Sequence, residues 1–239
     1  MFLLTTRPID DALSDCKLLN RKNINAVASP SMKIFQNSIK LNSIYDGIFL
    51  TSRHAAHVIK FIEDKKTPVF CVGSSTAKLA RMYGAENLIV GKSDALFLAN
   101  KVKCYLPKNS KILWPSNNTL KDSIYIDLEN NVYNVDKKQT YATLPLKELD
   151  INSTNLILNK QVLIVLFFSF KSTEMWIELI NKANLFKFLN NVNFIGINEK
   201  IVNYLCDLSL NKVLLSRRKR RASVLSLGMK VFNNMEKSL

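Results

Sequence analysis

The stretch Val69-Phe70-Cys71-Val72-Gly73-Ser74-Ser75-Thr76-Ala77 holds a strand, a turn and a helix start in nine residues. Pro68 to Val72 is a short apolar run. Thr76, Leu79, Ala80 and Tyr83 then recur at i, i+3, i+4 and i+7, and Gly84 stands where a helix-ending glycine belongs. Gly73 frees the turn from a Cβ clash. The hydroxyls of Ser74, Ser75 and Thr76 fall beside the free N–H groups of a helix N-terminus, a seat for a carboxylate or phosphate. Plain capping in a βα unit uses the same residues, and the segment alone does not choose between the two.

The arrangement recurs. Gly47-Ile48-Phe49-Leu50-Thr51-Ser52 reads as a strand opening into a helix with Ala55, Val58, Ile59 and Ile62 on one face. Val162 to Phe168 leads to Ser169 and a helix with Met175, Trp176, Leu179, Ile180 and Ala183 on one face. Val192 to Asn198, which includes Gly196, leads to a helix carrying Ile201, Tyr204, Leu205 and Leu208. The order "strand, serine, helix; strand, glycine, hydroxyl or amide, helix" thus occurs twice, which predicts two similar α/β domains.

The rest of the chain fits around these repeats. Phe2 to Thr6 reads as a first strand, with Asp10 as the N-cap of a helix whose buried face is Ala12, Leu13, Cys16 and Leu19. Asp10, Asp11 and Asp15 read as capping and solvated carboxylates. Ile24 to Ala28 is a second strand. Ser31 to Ser43 is irregular and polar, a crossing into another domain. That domain holds strands Gly47–Leu50, Pro68–Val72, Asn87–Val90, Lys111–Trp114 and Asn131–Val135. Helices are predicted over 53–64, 75–83, 94–104 and near 118–129, a doubly wound parallel sheet. Lys137 to Leu146 is extended and reads as the return crossing. Strands Val162–Phe168, Val192–Ile197 and Lys212–Leu215 remain, too few for a sheet of this kind until the two N-terminal strands join them. The first domain is therefore read as discontinuous, 1–31 plus 146–239. Residues 32–145 are read as inserted, with linkers near 29–35 and 137–146, and a cleft between the domains is the expected place for a ligand.

Composition bounds the chemistry. The chain has 239 residues, 47% of them hydrophobic, enough for two cores. Cys16, Cys71, Cys104 and Cys206 are far apart and form no C-x-x-C pair, so they read as reduced, mostly buried thiols. Met1 to Leu4 is too short for a signal peptide, and Val162 to Phe168 is a fraction of a membrane span. A cytoplasmic protein without membrane contact is expected. The formal charge of +15 favours anionic partners. Part of it lies in residues 216–239, with Arg217, Arg218, Lys219, Arg220, Arg221, Lys230 and Lys237. The run Arg217 to Arg221 reads either as a polyanion-binding patch or as a solvated loop before a last helix with Ala222, Leu225, Met229 and Phe232 on one face.

No metal site is expected. His54 and His57 have no third ligand and read as solvent-facing or capping. Walker A and G-x-G-x-x-G are absent, and Lys92-Ser93 after Gly91 reads as a helix start, so no nucleotide cofactor is indicated. What remains is hydroxyls at strand ends, Thr6, Thr51, Ser52, Ser74, Ser75, Thr76 and Ser169, where doubly wound sheets keep their ligand crevice.

Leu3-Leu4-Thr5-Thr6-Arg7-Pro8, Ile48-Phe49-Leu50-Thr51-Ser52, Val72-Gly73-Ser74-Ser75-Thr76-Ala77, Tyr141-Ala142-Thr143, Phe167-Phe168-Ser169 and Ile195-Gly196 occur in the order seen in the uroporphyrinogen-III synthase family. The resemblance covers nearly the whole chain. It implies two flavodoxin-like doubly wound parallel-sheet domains joined by a two-stranded linker. The implied activity is that of a lyase of haem biosynthesis which cyclises hydroxymethylbilane, an octacarboxylate linear tetrapyrrole, with loss of water and inversion of ring D. No cofactor is implied, and the implied form is a monomer in transient contact with the preceding pathway enzyme.

The resemblance also implies roles. Tyr141 matches the tyrosine that assists loss of the hydroxyl, with domain packing as its alternative role. Gly73, Ser74, Ser75 and Thr76 match the turn that holds acetate and propionate groups. Thr51, Ser52 and Ser169 match the strand-end hydroxyls, Thr6 and Arg7 the end of the first strand, and Gly196 and Asn198 complete the binding set. His54, Phe170, Glu199 and Arg220-Arg221-Ala222 depart from the family pattern, which usually has Asn, Pro, Thr and Pro-Thr there, with Glu199 taken as the counterpart of Thr76. The rival reading is a non-catalytic two-domain protein that binds a polyanion or nucleic acid through its basic run.

Overall fold

The computed structural model describes residues 1–41, 43–91 and 95–236. Lys92 and Ser93, read above as a helix start, and position 94, where a helix was expected to begin, lie outside the described residues. The elements run β1 (Phe2–Thr5), α1 (Ile9–Asn20), β2 (Ala26–Ala28), β3 (Met32–Gln36), β4 (Gly47–Leu50), a 3-10 helix (Arg53–Phe61), β5 (Val69–Cys71), α2 (Ser74–Met82), β6 (Leu88–Val90), α3 (Ala95–Tyr105) and β7 (Lys111–Ser116). They continue with α4 (Ser123–Asn130), β8 (Asn134–Gln139), β9 (Tyr141–Pro145), α5 (Ile151–Leu158), β10 (Val162–Phe167), α6 (Phe170–Lys182), a 3-10 turn (Phe186–Phe188), β11 (Asn193–Gly196), α7 (Glu199–Asp207), β12 (Val213–Leu215) and α8 (Arg221–Glu236).

The chain divides into two compact units, Met1–Lys33 with Leu144–Leu239, and Ile34–Thr143. The crossing segments β3 and β9 pair with each other. The Asn37 N–H donates to the Thr140 carbonyl and the Leu146 N–H to that of Ser31, so the ladder is antiparallel. Sequence reading left Ser31 to Ser43 irregular. The strand there alternates over Met32 (buried), Lys33 (exposed), Ile34 (half-buried) and Phe35 (exposed), and among the described residues it pairs with β9 alone.

The first unit is a parallel sheet in the order β12-β11-β10-β1-β2. Its central strand, Val-Leu-Ile-Val-Leu-Phe over 162–167, is buried along its whole length, as a strand covered on both faces must be. Leu4, Val165, Phe167 and Phe194 meet Trp176, Ile180, Ile201 and Leu205 on one face. Leu3, Ile164, Leu166 and Ile195 meet Cys16, Leu19, Val224 and Phe232 on the other. Each such side chain contributes roughly 1.5–3 kcal/mol by leaving water.

The second unit is a parallel sheet in the order β6-β5-β4-β7-β8. Ile48, Leu50, Val58, Ile59 and Ala80 fill one layer, and Phe49, Phe70, Leu98, Val102, Trp114 and Leu128 the other. Started at β10 and at β4, the two sheets have the same order, 3-2-1-4-5, with the first unit closed by the N-terminal strands. The internal repeat seen in the sequence is this relation.

Local differences from the sequence reading have physical causes. Residues 53–61 wind as a 3-10 helix, and five consecutive residues of it, Ala55 to Ile59, are buried, so it is enclosed on more than one face. β7 runs on through Pro115, which is possible because its pairing with β4 ends at Leu113. Asp122 then caps Ile124 and Tyr125, and Val132 turns the chain at φ 66°, so α4 and β8 start later than expected. α2 ends as read. Gly84 has φ 103°, its N–H meets the Arg81 carbonyl and that of Ala85 the Ala80 carbonyl, a Schellman ending. Leu13 and Ala222, expected on buried helix faces, are exposed. Cys16 and Cys71 are buried, and Cys104 and Cys206 are exposed.

Candidate active site at the strand ends

In parallel sheets all strands point one way, so the residues after β4, β5 and β7 share one edge of the second unit. Ser52 follows β4 in extended backbone, φ −140° and ψ 141°, and its Oγ accepts the His54 N–H at 3.2 Å, capping the 3-10 helix. Thr51 Oγ1 accepts the Trp114 indole N–H at 3.3 Å. Tyr141 opens β9 and is buried, with its ring 5.9 Å from that of His54. Burial pushes its phenol above the ordinary value, and the Ser52 hydroxyl beside it pulls the other way. At neutral pH this tyrosine carries its proton.

After β5 the chain turns at Gly73 with φ −164° and ψ 170°. That is extended backbone open to any residue, so the conformational argument for this glycine is overturned. Its consequence is that α2 has no side-chain cap. Ser74 and Ser75 are exposed at its first two positions and Thr76 is buried at the third. The helix N-terminus there keeps its N–H groups and its positive dipole end open to an anion.

His57 is not solvent-facing or a cap. It is 4% exposed, and its Nδ1 meets the His54 carbonyl at 2.9 Å. Burial pushes its pKa below the ordinary value, ahead of opposing contacts with the His54 and Thr140 backbones. Among the described residues no cluster of His, Cys, Asp or Glu is placed to hold a metal ion. A cavity of about 420 Å³ beside Leu41, Tyr45 and Phe61 holds none of the predicted site residues.

In the first unit the matching edge carries Thr6, Arg7, Ser169, Gly196 and Asn198. Thr6 is fully buried and its Oγ1 donates to the Leu166 carbonyl at 2.9 Å. Ser169 accepts the Ser172 N–H at 3.2 Å and caps α6. Asn198 accepts the Ile201 N–H at 3.1 Å and caps α7. Gly196 is closely packed, since a Cβ there would lie 3.0 Å from Ile201 Cγ2 and 3.1 Å from Val202 Cγ2, so those side chains would have to give way by a few tenths of an ångström. Gly73 and Asn198 are both N-caps. Counted from the caps, the counterpart of Thr76 is Ile201, not Glu199, which matches Ser74 instead.

Arg7 is engaged inside the protein. Its guanidinium meets Asp11 at 2.8 Å and Asp15 at 3.1 Å and lies over the Phe168 ring. Asp15 also takes Arg221 and the Thr5 hydroxyl. Asp11 and Asp15 are therefore buried ion-pair partners, not solvated carboxylates, and Asp10 is no cap, because Pro8 precedes the helix. Arg221 belongs to α8, not to a solvated loop. Sequence reasoning missed this knot; the signal was Arg7 with Asp11 and Asp15 at i+4 and i+8, which puts both acids on one helical face.

No helix among the described residues is long and apolar enough to cross a membrane. The family model for uroporphyrinogen-III synthase HemD matches residues 16–226. No curated protein sequence matches the chain. The uroporphyrinogen-III synthetase of Helicobacter pylori superposes with a TM-score of 0.63 at 13% identity, covering 96% of this chain and 98% of its own. A mutant uroporphyrinogen III synthase from Thermus thermophilus gives a TM-score of 0.52 at 12% identity, covering 98% and 100%. At such identities the superpositions speak for the fold, and the family model speaks for descent. With its two doubly wound sheets and their hydroxyl-lined strand ends, the chain belongs to the uroporphyrinogen-III synthase family.

Proposed function

We propose that this chain converts hydroxymethylbilane to uroporphyrinogen III, with Tyr141 as its acid and the strand ends as its carboxylate holders. The reaction removes one water and needs a proton on the leaving oxygen. Tyr141 is a neutral phenol at the end of the second unit's sheet, close to Ser52. It donates its proton to the departing hydroxyl, and ring closure releases one pyrrole proton that restores the phenol. General acid help of this kind is typically worth ~10²–10⁴-fold. The remaining task is to hold ring D in the inverted arrangement while water leaves, which is catalysis by positioning.

The observation that carries the reading is the family match over residues 16–226. The open N-terminus of α2, with Ser74, Ser75 and Thr76, supports the assignment of acetate and propionate binding there. Ser52, Ser169 and Asn198 are proposed to bind with whatever hydrogen-bonding capacity their capping leaves. Thr51, Thr6 and Gly196 act through the backbone they shape, Gly73 by leaving the α2 N-terminus uncapped, and Arg7 through the knot it anchors. The work is placed in the cytoplasm, next to the enzyme that supplies the unstable bilane. Expression in a bacterial haem auxotroph lacking this activity tests the proposal. Growth without added haem is expected, and failure of a well-expressed chain to restore growth contradicts it.

A further inference from the structure

The ends of β10, β11 and β12 are in register. Phe167 pairs with Gly196 and Gly196 with Leu215. Two residues beyond that row stand Ser169, Asn198 and Arg217. Arg217 thus follows β12 as Asn198 follows β11, two residues past the same paired row. The segment that begins there is built, not loose. Ser216 is buried, its N–H meets the Gly196 carbonyl at 2.9 Å and its Oγ donates to the Arg218 carbonyl at 2.6 Å. The Arg220 N–H meets that same carbonyl at 2.7 Å, and the Arg218 N–H donates to Ser223 Oγ at 3.2 Å.

This folded loop presents Arg217, Arg218, Lys219 and Arg220, all exposed. Among the described residues none of the four is paired with a carboxylate. Glu199, exposed at the first position of α7, is the acid nearest in register and makes no ion pair with them. Arg7 and Arg221 are spent internally, since they share Asp15 and Arg7 also takes Asp11. Lys171 and Lys200, near the starts of α6 and α7, are exposed, with Lys200 over the Phe170 ring. At the corresponding joint of the second unit an anion would meet the open α2 N-terminus. Here Asn198 closes the α7 N-terminus with its own side chain.

We infer that the loop Arg217–Arg220 is a carboxylate clamp of the first unit, a specificity element that grips acetate or propionate groups of the polycarboxylate substrate. The inference rests on the proposed function for the identity of that substrate. Exposed guanidinium groups in a hydrogen-bonded loop suit such a grip, because they meet carboxylates through paired N–H groups. The charge is screened over about 8–10 Å at ordinary salt, so each contact is modest and the set acts together.

The test replaces the four charges at once, Arg217→Gln, Arg218→Gln, Lys219→Gln and Arg220→Gln, leaving Arg221 to hold Asp15. Two readouts are taken. The first is the fluorescence-detected affinity for uroporphyrin, an octacarboxylate bound without turnover. The variant is expected to bind about tenfold more weakly and to lose most of the salt dependence of the wild-type protein. Equal affinity and equal salt dependence in the two proteins overturn the clamp. The second is turnover of hydroxymethylbilane, where KM should rise and kcat should stay. If the wild-type protein gives no type III product but the binding difference stands, the proposed reaction fails and the clamp survives. A variant that keeps uroporphyrin but loses single-stranded RNA overturns the clamp in favour of nucleic-acid binding.

Discussion

The β5–α2 joint of the second unit and the β11–α7 joint of the first occupy the same place in the same strand order, and they end differently. In one, Gly73 leaves the helix N-terminus uncapped, with Ser74 and Ser75 exposed. In the other, Asn198 fills the cap and Gly196 lets the helix press onto the strand. The preceding joints agree closely: Ser52 and Ser169 both cap their helices from extended backbone. The comparison teaches that the repeat conserves the joint that shapes the sheet end and varies the one that can take an anion. The fourth and fifth strands differ too. The Ser29 N–H meets the Thr5 carbonyl as that of Thr140 meets Ser116, so Tyr141 corresponds to Pro30. Only the second unit has a phenol at this place.

Removing that phenol should show the largest effect. Tyr141→Phe is expected to lower kcat by ~10²-fold or more with an unchanged thermal midpoint; a kcat within a factor of two would reassign Tyr141 to packing. The next largest effect concerns the first unit, which alone has the ionic knot. Asp15→Asn should cost roughly 2–4 kcal/mol in urea unfolding, below the top of the range for breaking a buried pair, because both guanidinium groups reach solvent. A loss under 1 kcal/mol would reduce the knot to a surface pair.

Gly196→Ala should cost about 1–3 kcal/mol through its contacts with Ile201 and Val202, whereas Gly73→Ala, in extended backbone, should be far milder. Equal costs would mean that the two glycines do one job. The pH dependence should separate the units as well. His57 is held neutral by burial, so its folded pKa lies below the ordinary 6.5. The unfolded chain takes up a proton near that value and the folded chain only lower down. Stability should therefore fall as pH drops below about 6.5, and His57→Leu should flatten that slope between pH 7.5 and 5.5. An unchanged slope would place the imidazole in contact with water. Smallest is the exchange of caps. Gly73→Asn should raise stability by a few tenths of a kcal/mol and raise KM several-fold by filling the open N-terminus. Asn198→Gly should lower stability by a similar amount. A KM indifferent to Gly73→Asn would remove the α2 end from substrate binding.

Much of this was legible in the chain. The doubly wound class followed from apolar runs too short for helices and buried on both faces, such as 162–167, alternating with 3.6-period segments. The strand-end hydroxyls followed from the same alternation. What escaped was whatever depends on partners distant in sequence. Asp15 looks like a surface acid until α8 brings Arg221 to it, 206 residues away. His57 looks like a polar helix residue until the packing around Ala55 to Ile59 encloses it. Gly73 looked conformationally necessary because a glycine before a helix often is, and only the backbone angles show that it matters for what it fails to cap.

The account's central claim is that this fold directs closure of the bilane to one isomer. The direct measurement is the ratio of type III to type I uroporphyrin, after oxidation, formed from hydroxymethylbilane with the protein and with buffer alone. The account predicts predominantly type III with the protein and type I without it. Type I in both, from a folded sample, would contradict it.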